Sequence, residues 1–164
     1  MYDFRPTPGQ DPAESYRQLV AAADALTQDE PDPVANMANV AALIWEFLPD
    51  LNWSGFYRVT EDRGSRELVL GPFVGRPACI RIPIGAGVCG TAASNAETQL
   101  VEDVHAFPGH IACDAASQSE VVVPVLRNGE VIAVIDCDSP SPARFGPADA
   151  EGLEALAELL ADRI

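Results

Sequence analysis

The chain has 164 residues, 48% apolar and 21% charged, enough for one globular domain whose core needs no disulfide staples. Its 25 acidic residues outnumber ten basic ones, all Arg, for a formal net charge of −15; so anionic a chain repels phosphate backbones and anionic lipid, and neither nucleic acid nor membrane is expected as a partner. No apolar run reaches the roughly 20 residues of a membrane-spanning helix, and Met1-Tyr2-Asp3-Phe4-Arg5 lacks the regions of a secretory signal, so a cytoplasmic location is expected.

Residues 1–10, with two Pro and a Gly, read as a flexible arm, and residues 11–164 as a single domain. Asp11-Pro12-Ala13-Glu14 opens a helix, with Asp11 as cap, Pro12 in the first turn and Glu14 where a capping box places an acid. Tyr16, Leu19, Val20, Ala23 and Leu26 follow at helical spacing. Asp32-Pro33 repeats the start, and Val34, Met37, Ala38, Ala41, Trp45 and Leu48 form the apolar stripe, ending near Pro49. Strands are predicted over 52–59, 67–74, 79–84 and 98–101, with a surface loop over 61–67. A hairpin runs from Glu120 to Asp138 around Arg127-Asn128-Gly129, because Asn-Gly tolerates the positive φ of a tight turn. Gly146-Pro147 opens a last helix carrying Ala150, Leu153, Leu156, Ala157 and Leu160, with Asp149 and Glu151 near its positive end. The sum is an α+β domain around a mostly antiparallel sheet, flanked by N- and C-terminal helices.

Along the second hairpin strand, Ile132, Val134, Asp136 and Asp138 share one face, and Val131, Ala133, Ile135 and Cys137 the other. Glu120 starts the partner strand at the same end. The three acids either cluster, in which case repulsion makes at least one hold a proton more readily, or form a solvated strand end. Trp53 and Tyr57 share a strand face, either as core or as an aromatic wall beside those acids.

The four cysteines, Cys79, Cys89, Cys113 and Cys137, contain no C-x-x-C pair, so the dithiol motif and the usual zinc spacing are absent. Cys137 reads as a small buried apolar residue. Cys89 lies in Gly85-Ala86-Gly87-Val88-Cys89-Gly90-Thr91, a turn into a short helix whose N-terminus would stabilise a thiolate. Cys113 sits in a polar loop with both histidines, His105 and His110, and is the candidate nucleophile. A zinc set of His105, His110, Cys89 and Cys113 ranks below that reading, and no metal or other cofactor is expected.

The motifs Asn52-Trp53-Ser54-Gly55-Phe56-Tyr57, Leu70-Gly71-Pro72-Phe73, Pro77-Ala78-Cys79, Gly87-Val88-Cys89-Gly90-Thr91-Ala92, Asp103 through Asp114 and Asp136-Cys137-Asp138-Ser139-Pro140 follow one another in this order. Together they resemble the free methionine-(R)-sulfoxide reductases, a single-GAF-domain family, over residues 34–160. The resemblance implies a GAF-like fold and thiol-dependent reduction of free L-methionine-(R)-sulfoxide. It implies Cys113 as nucleophile, Cys79 as resolving thiol and Cys89 as a secondary partner. It also implies Glu120 and Asp138 around the sulfoxide oxygen, Asp136 at the substrate's ammonium, and Trp53 and Tyr57 around its methyl end. Thioredoxin is the implied reductant and a homodimer the implied assembly. The competing expectation is a non-catalytic GAF sensor of a small molecule.

Overall fold

The computed structural model describes residues 4–62, 64–111 and 114–164. Cys113, the expected nucleophile, lies outside them. The elements are α1 (Pro12–Thr27), α2 (Pro33–Phe47), β1 (Trp53–Asp62), β2 (Ser65–Gly75), β3 (Arg81–Pro83), α3 (Gly87–Asn95), β4 (Gln99–Val101), a 3-10 turn (Val104–Ala106), β5 (Ser119–Arg127), β6 (Glu130–Ser139) and α4 (Pro147–Leu160).

The helices start where acids and prolines place them. Asp11 Oδ1 accepts the Glu14 amide at 2.9 Å, and Asp32 Oδ1 accepts those of Val34 and Ala35 at 2.8 and 2.9 Å. Each such cap contributes about 1 kcal/mol. The expected box at α1 is half made: the Glu14 carboxylate turns to Arg17. At α4, Asp149 Oδ2 reaches back to the Gly146 amide at 2.8 Å. Ahead of α1, Phe4 packs against the helical core and Gln10 Nε2 donates to Gln18 at 2.9 Å.

The six strands are ordered β3-β2-β1-β6-β5-β4, and every pairing is antiparallel. The α1, α2 and α4 helices cover one face and α3 the other. On the first face Phe56, Val121, Val123, Ile135 and Cys137 meet Leu19, Ile44, Leu153 and Leu156. On the second, Trp53, Tyr57, Leu68, Val122 and Val134 meet Ile82, Val88, Cys89 and Ala92. The predicted hairpin forms with Asn128 and Gly129 at φ 52° and 81°.

Four expectations change. The stripe of α2 is Met37, Val40, Ala41, Ile44, Phe47 and Leu48, whereas Val34 and Trp45 are 51% and 39% exposed and Ala38 also faces water. Residues 61–67 are largely strand rather than loop, since β1 and β2 stay paired out to Asp62 and Ser65; Arg63 lies outside the described residues. The strand expected over 79–84 shrinks to Arg81–Pro83, with Cys79 in irregular chain before it. Finally, Val125 pairs with Ala133 but Leu126 with Val131, so β6 carries an extra residue at Ile132. That bulge sends Ile132 to the helical core and Val131 to the α3 side, reversing the predicted faces before Ala133.

Candidate functional site

The two-residue period of β5 and β6, beyond the bulge, delivers the acids to one place. Glu120 stands opposite Asp138 and Val122 opposite Asp136, while on the other flank Trp53 pairs with Asp138 and Gly55 with Asp136. Above them the glycine-rich turn presses the start of α3 onto the sheet. Gly85 donates to the Gly90 carbonyl at 2.8 Å, and a Cβ on Gly90 would stand 2.4 Å from the Pro83 carbonyl oxygen. Cys89 is thereby turned inward, with its Sγ 3.9 Å from Glu120 Oε1.

These groups border a cavity of about 390 Å³ counted to its mouth, whose lining includes Tyr57, Val88, His110, Ile111, Asp114 and Ser117. Glu120 and Asp136 are only 6% and 5% exposed, which overturns the solvated-strand-end reading for both. Asp136 Oδ1 is buried without a hydrogen-bond partner. No Arg borders the cavity among the described residues.

Burial pushes the Glu120 carboxyl well above its ordinary range, and the charges of Asp136 and Asp138 push it further. Burial also raises Asp136, followed by Asp138's charge, but the bonds it accepts from Cys89 and Glu120 pull the other way. Glu120 and Asp136 therefore both hold a proton more readily than a free carboxyl. Asp138 is pushed up to about 7, mainly by burial and further by Asp114's charge, against a hydrogen bond from Ser117. Burial first, then Asp136, drives the Tyr57 phenol far upward, so it stays neutral.

The thiolate expected of Cys89 does not form. Burial raises its thiol well above the ordinary value, and Asp136 and Glu120 add to the effect, outweighing its place in the first turn of α3. Cys137 points to the helical core, as expected. Cys89 and Cys137 are free thiols, while Cys79 is disulfide-bonded.

Trp53 is not among the residues bordering the cavity. It stands behind Tyr57, stacked on it at 5.8 Å and on Phe73 at 5.2 Å, with Nε1 donating to the Arg76 carbonyl at 3.2 Å. Of the histidines, half-buried His110 borders the cavity and exposed His105 packs edge-on to it at 6.2 Å. Burial lowers His110, with His105's charge adding to this. Among the described residues the group spaced for a metal is Cys89, Glu120 and Asp136, with one ligand atom from each within 4.8 Å of the others, and no histidine belongs to it.

Sequence reasoning missed Asn52, Asp114 and Ser117. Asn52 Nδ2 donates to Asp114 Oδ2 at 3.2 Å and to Ser117 Oγ at 3.0 Å. Asn52 opens one of the quoted motifs and Asp114 closes another, while Ser117 left no trace in the sequence.

The GAF domain family model matches residues 20–164. The free methionine-R-sulfoxide reductase of Escherichia coli is 48% identical over 143 residues, covering 87% of this chain and 84% of that protein. The structure of free methionine-R-sulfoxide reductase from Neisseria meningitidis in complex with its substrate superposes with a TM-score of 0.92 at 43% identity, over 99% of this chain and 95% of that one. A putative GAF sensor protein from Burkholderia vietnamiensis superposes with a TM-score of 0.87 at 52% identity, over 94% and 96%.

Proposed function

The chain belongs to the free methionine-R-sulfoxide reductase family of GAF-domain proteins, and from that premise we propose that it reduces free L-methionine-(R)-sulfoxide to methionine, with Cys113 as nucleophile, Cys79 as resolving thiol and thioredoxin as the external reductant. The observation that carries the reading is the nest of Glu120, Asp136 and Asp138 at one end of a small cavity, where burial raises all three carboxyls above their ordinary range, Asp138 to about 7.

Sulfoxide oxygen leaves sulfur poorly until it is protonated. A carboxyl that keeps its proton near neutrality supplies what that step needs. The Cys113 thiolate attacks the sulfoxide sulfur while the acid nest protonates the oxygen. The oxygen passes as hydroxyl from the substrate sulfur to Cys113 Sγ, so the substrate's S–O bond and the transient S–S bond break, a Cys113 S–O bond forms, methionine departs with the electron pair, and Cys113 becomes a sulfenic acid, the reversible first rung of cysteine oxidation. The Cys79 thiol then displaces the hydroxyl as water, giving a disulfide. Two electrons have passed from two thiols to one sulfoxide, and a thioredoxin dithiol restores them by exchange. Cys79 being disulfide-bonded while Cys89 is a free, buried thiol supports Cys79 as the resolving partner.

The buried, unpartnered Asp136 Oδ1 suits an ammonium, which a free amino acid carries and a peptide-bound methionine lacks. Tyr57 walls the methyl end and Trp53 backs it. We assign the domain to residues 11–164 with 1–10 as an accessory arm, working as a cytoplasmic homodimer. The test is Cys113→Ser: thioredoxin-coupled turnover of free L-methionine-(R)-sulfoxide is abolished. Turnover that survives contradicts the assignment. Wild-type binding without turnover favours the sensor reading.

A further inference from the structure

We propose that Cys89, Glu120 and Asp136 form a binding site for a divalent cation of zinc's chemistry, and that a metal held there and the sulfoxide substrate exclude each other. The site stands on geometry alone, whereas the exclusion rests on the reductase reading above.

Three elements bring the ligands together: α3 supplies Cys89, β5 Glu120 and β6 Asp136. One ligand atom from each lies within 4.8 Å of the other two, and Cys89 Sγ stands 3.9 Å from Glu120 Oε1. Zinc bonds sulfur at about 2.3 Å and carboxylate oxygen at about 2.0–2.2 Å, so a tetrahedral ion sets sulfur and oxygen about 3.5 Å apart. The Cys89–Glu120 pair needs only a small closure to reach that spacing. Asp136 is 5% exposed, and its Oδ1 is buried with no hydrogen-bond partner. A desolvated, unpartnered oxygen is costly until a cation or a donor meets it. All three residues border the cavity, whose mouth gives an ion its way in.

The donor set names the class of metal. One thiolate with two carboxylates suits zinc or cobalt(II), whereas magnesium and calcium take oxygen ligands alone. Three protein ligands leave a fourth tetrahedral position for water. On binding, the Cys89 thiol releases its proton and becomes a thiolate, and the carboxyls release any proton they hold. No Arg borders the cavity among the described residues, so the ion supplies a positive charge that these carboxylates otherwise lack. Cys89 is a free thiol while Cys79 is disulfide-bonded, so the sulfur of the site is available in that state of the chain. Asp136 is also the group assigned above to the substrate's ammonium. Two cations repel at contact distance in a buried site, so only one of them occupies that carboxylate at a time.

The experiment is a titration of the reduced full-length chain, carrying Cys79→Ser and Cys113→Ser, with Co²⁺ and then Zn²⁺, read by the thiolate-to-cobalt charge-transfer band and by metal bound per chain after dialysis. One cobalt per chain gives the band, zinc bleaches it, and Cys137→Val leaves both unchanged. Cys89→Ala abolishes the band. Asp136→Asn and Glu120→Gln, each close in shape to the residue replaced, weaken zinc by more than about tenfold, the smallest loss expected even from a group that only supports a ligand. Metal-free melts show which variants fold, and the two carboxamides carry the test if Cys89→Ala does not. No band in the parent chain, or a zinc affinity that both carboxamides leave unchanged, overturns the site. Free L-methionine-(R)-sulfoxide raises the apparent zinc Kd linearly with its concentration, while the (S) epimer, an equal chelator in solution, raises it far less. An unmoved Kd, or equal effects of the two epimers, overturns the exclusion. The titration needs no turnover, so a wild-type protein without reductase activity would sink the reductase reading and leave the cobalt band to judge the site.

Discussion

The two faces of the sheet are made by the same strands and behave as different materials. Toward α1, α2 and α4, strands β5 and β6 offer Val121, Val123, Ile135 and Cys137, and the helices answer with Leu19, Ile44, Leu153 and Leu156. Each fully buried aliphatic side chain there contributes about 1.5–3 kcal/mol. One residue along in either direction the strands face α3. There Val122 and Val134 lead into buried Glu120 and Asp136 and half-buried Asp138, beneath Cys89 and Tyr57. Burying carboxyls costs stability unless they share protons or hydrogen bonds. One face thus holds the domain together, and the other uses part of that stability to keep acids protonated where they can act.

The contrast is broken most sharply by Asp136→Asn. It removes the carboxylate charge offered to the substrate's ammonium, and kcat/KM falls about 10²–10⁴-fold, while melting at pH 8 holds or rises. Activity within a few fold of wild type, measured by methionine formed, contradicts the account.

A smaller effect appears in the pH dependence of stability. The folded pKa of Asp138, about 7, lies above that of the unfolded chain. Its contribution is therefore complete below the ordinary carboxyl range and is lost as pH rises through about 7. Glu120 and Asp136, raised in the same direction, extend the loss further. Thermal melts from pH 4 upward fall with pH, and Asp138→Asn flattens the slope. A melting temperature that rises across that window would count against buried, protonated acids.

The smallest effect is on the other face. Cys137→Val keeps volume and apolarity in the helical core, so stability by urea unfolding changes by less than about 1.5 kcal/mol and kcat/KM does not change. A large loss of activity would mean that Cys137 reaches the acid side after all.

The shared face of Asp136 and Asp138 was legible in the alternation along Glu130–Asp138. Glu120's place opposite Asp138 was not, because counting from the Arg127–Glu130 pair sets it opposite Cys137 until the extra residue at Ile132 shifts the register. The Ile132 bulge was not, since one extra residue leaves no mark in an apolar run. Val34 and Trp45 were misplaced because an apolar residue at helical spacing can still face water when no neighbour covers that turn. The thiolate reading of Cys89 assumed an open helix end, and only the packed turn at Gly90 shows it sealed against carboxylates. Asn52 and Ser117 meet across 65 positions through one amide hydrogen, a contact with no sequence signature.

The account's central claim is that Cys79 and Cys113 carry the two electrons while the acid nest carries the proton. Fully reduced protein, mixed with one equivalent of free L-methionine-(R)-sulfoxide and no external reductant, tests it by intact mass and peptide mapping. The account predicts a loss of two hydrogens per chain and a disulfide joining Cys79 to Cys113, with Cys89 and Cys137 still available to alkylation once the protein is unfolded. An unchanged mass, or a disulfide that runs to Cys89, contradicts it.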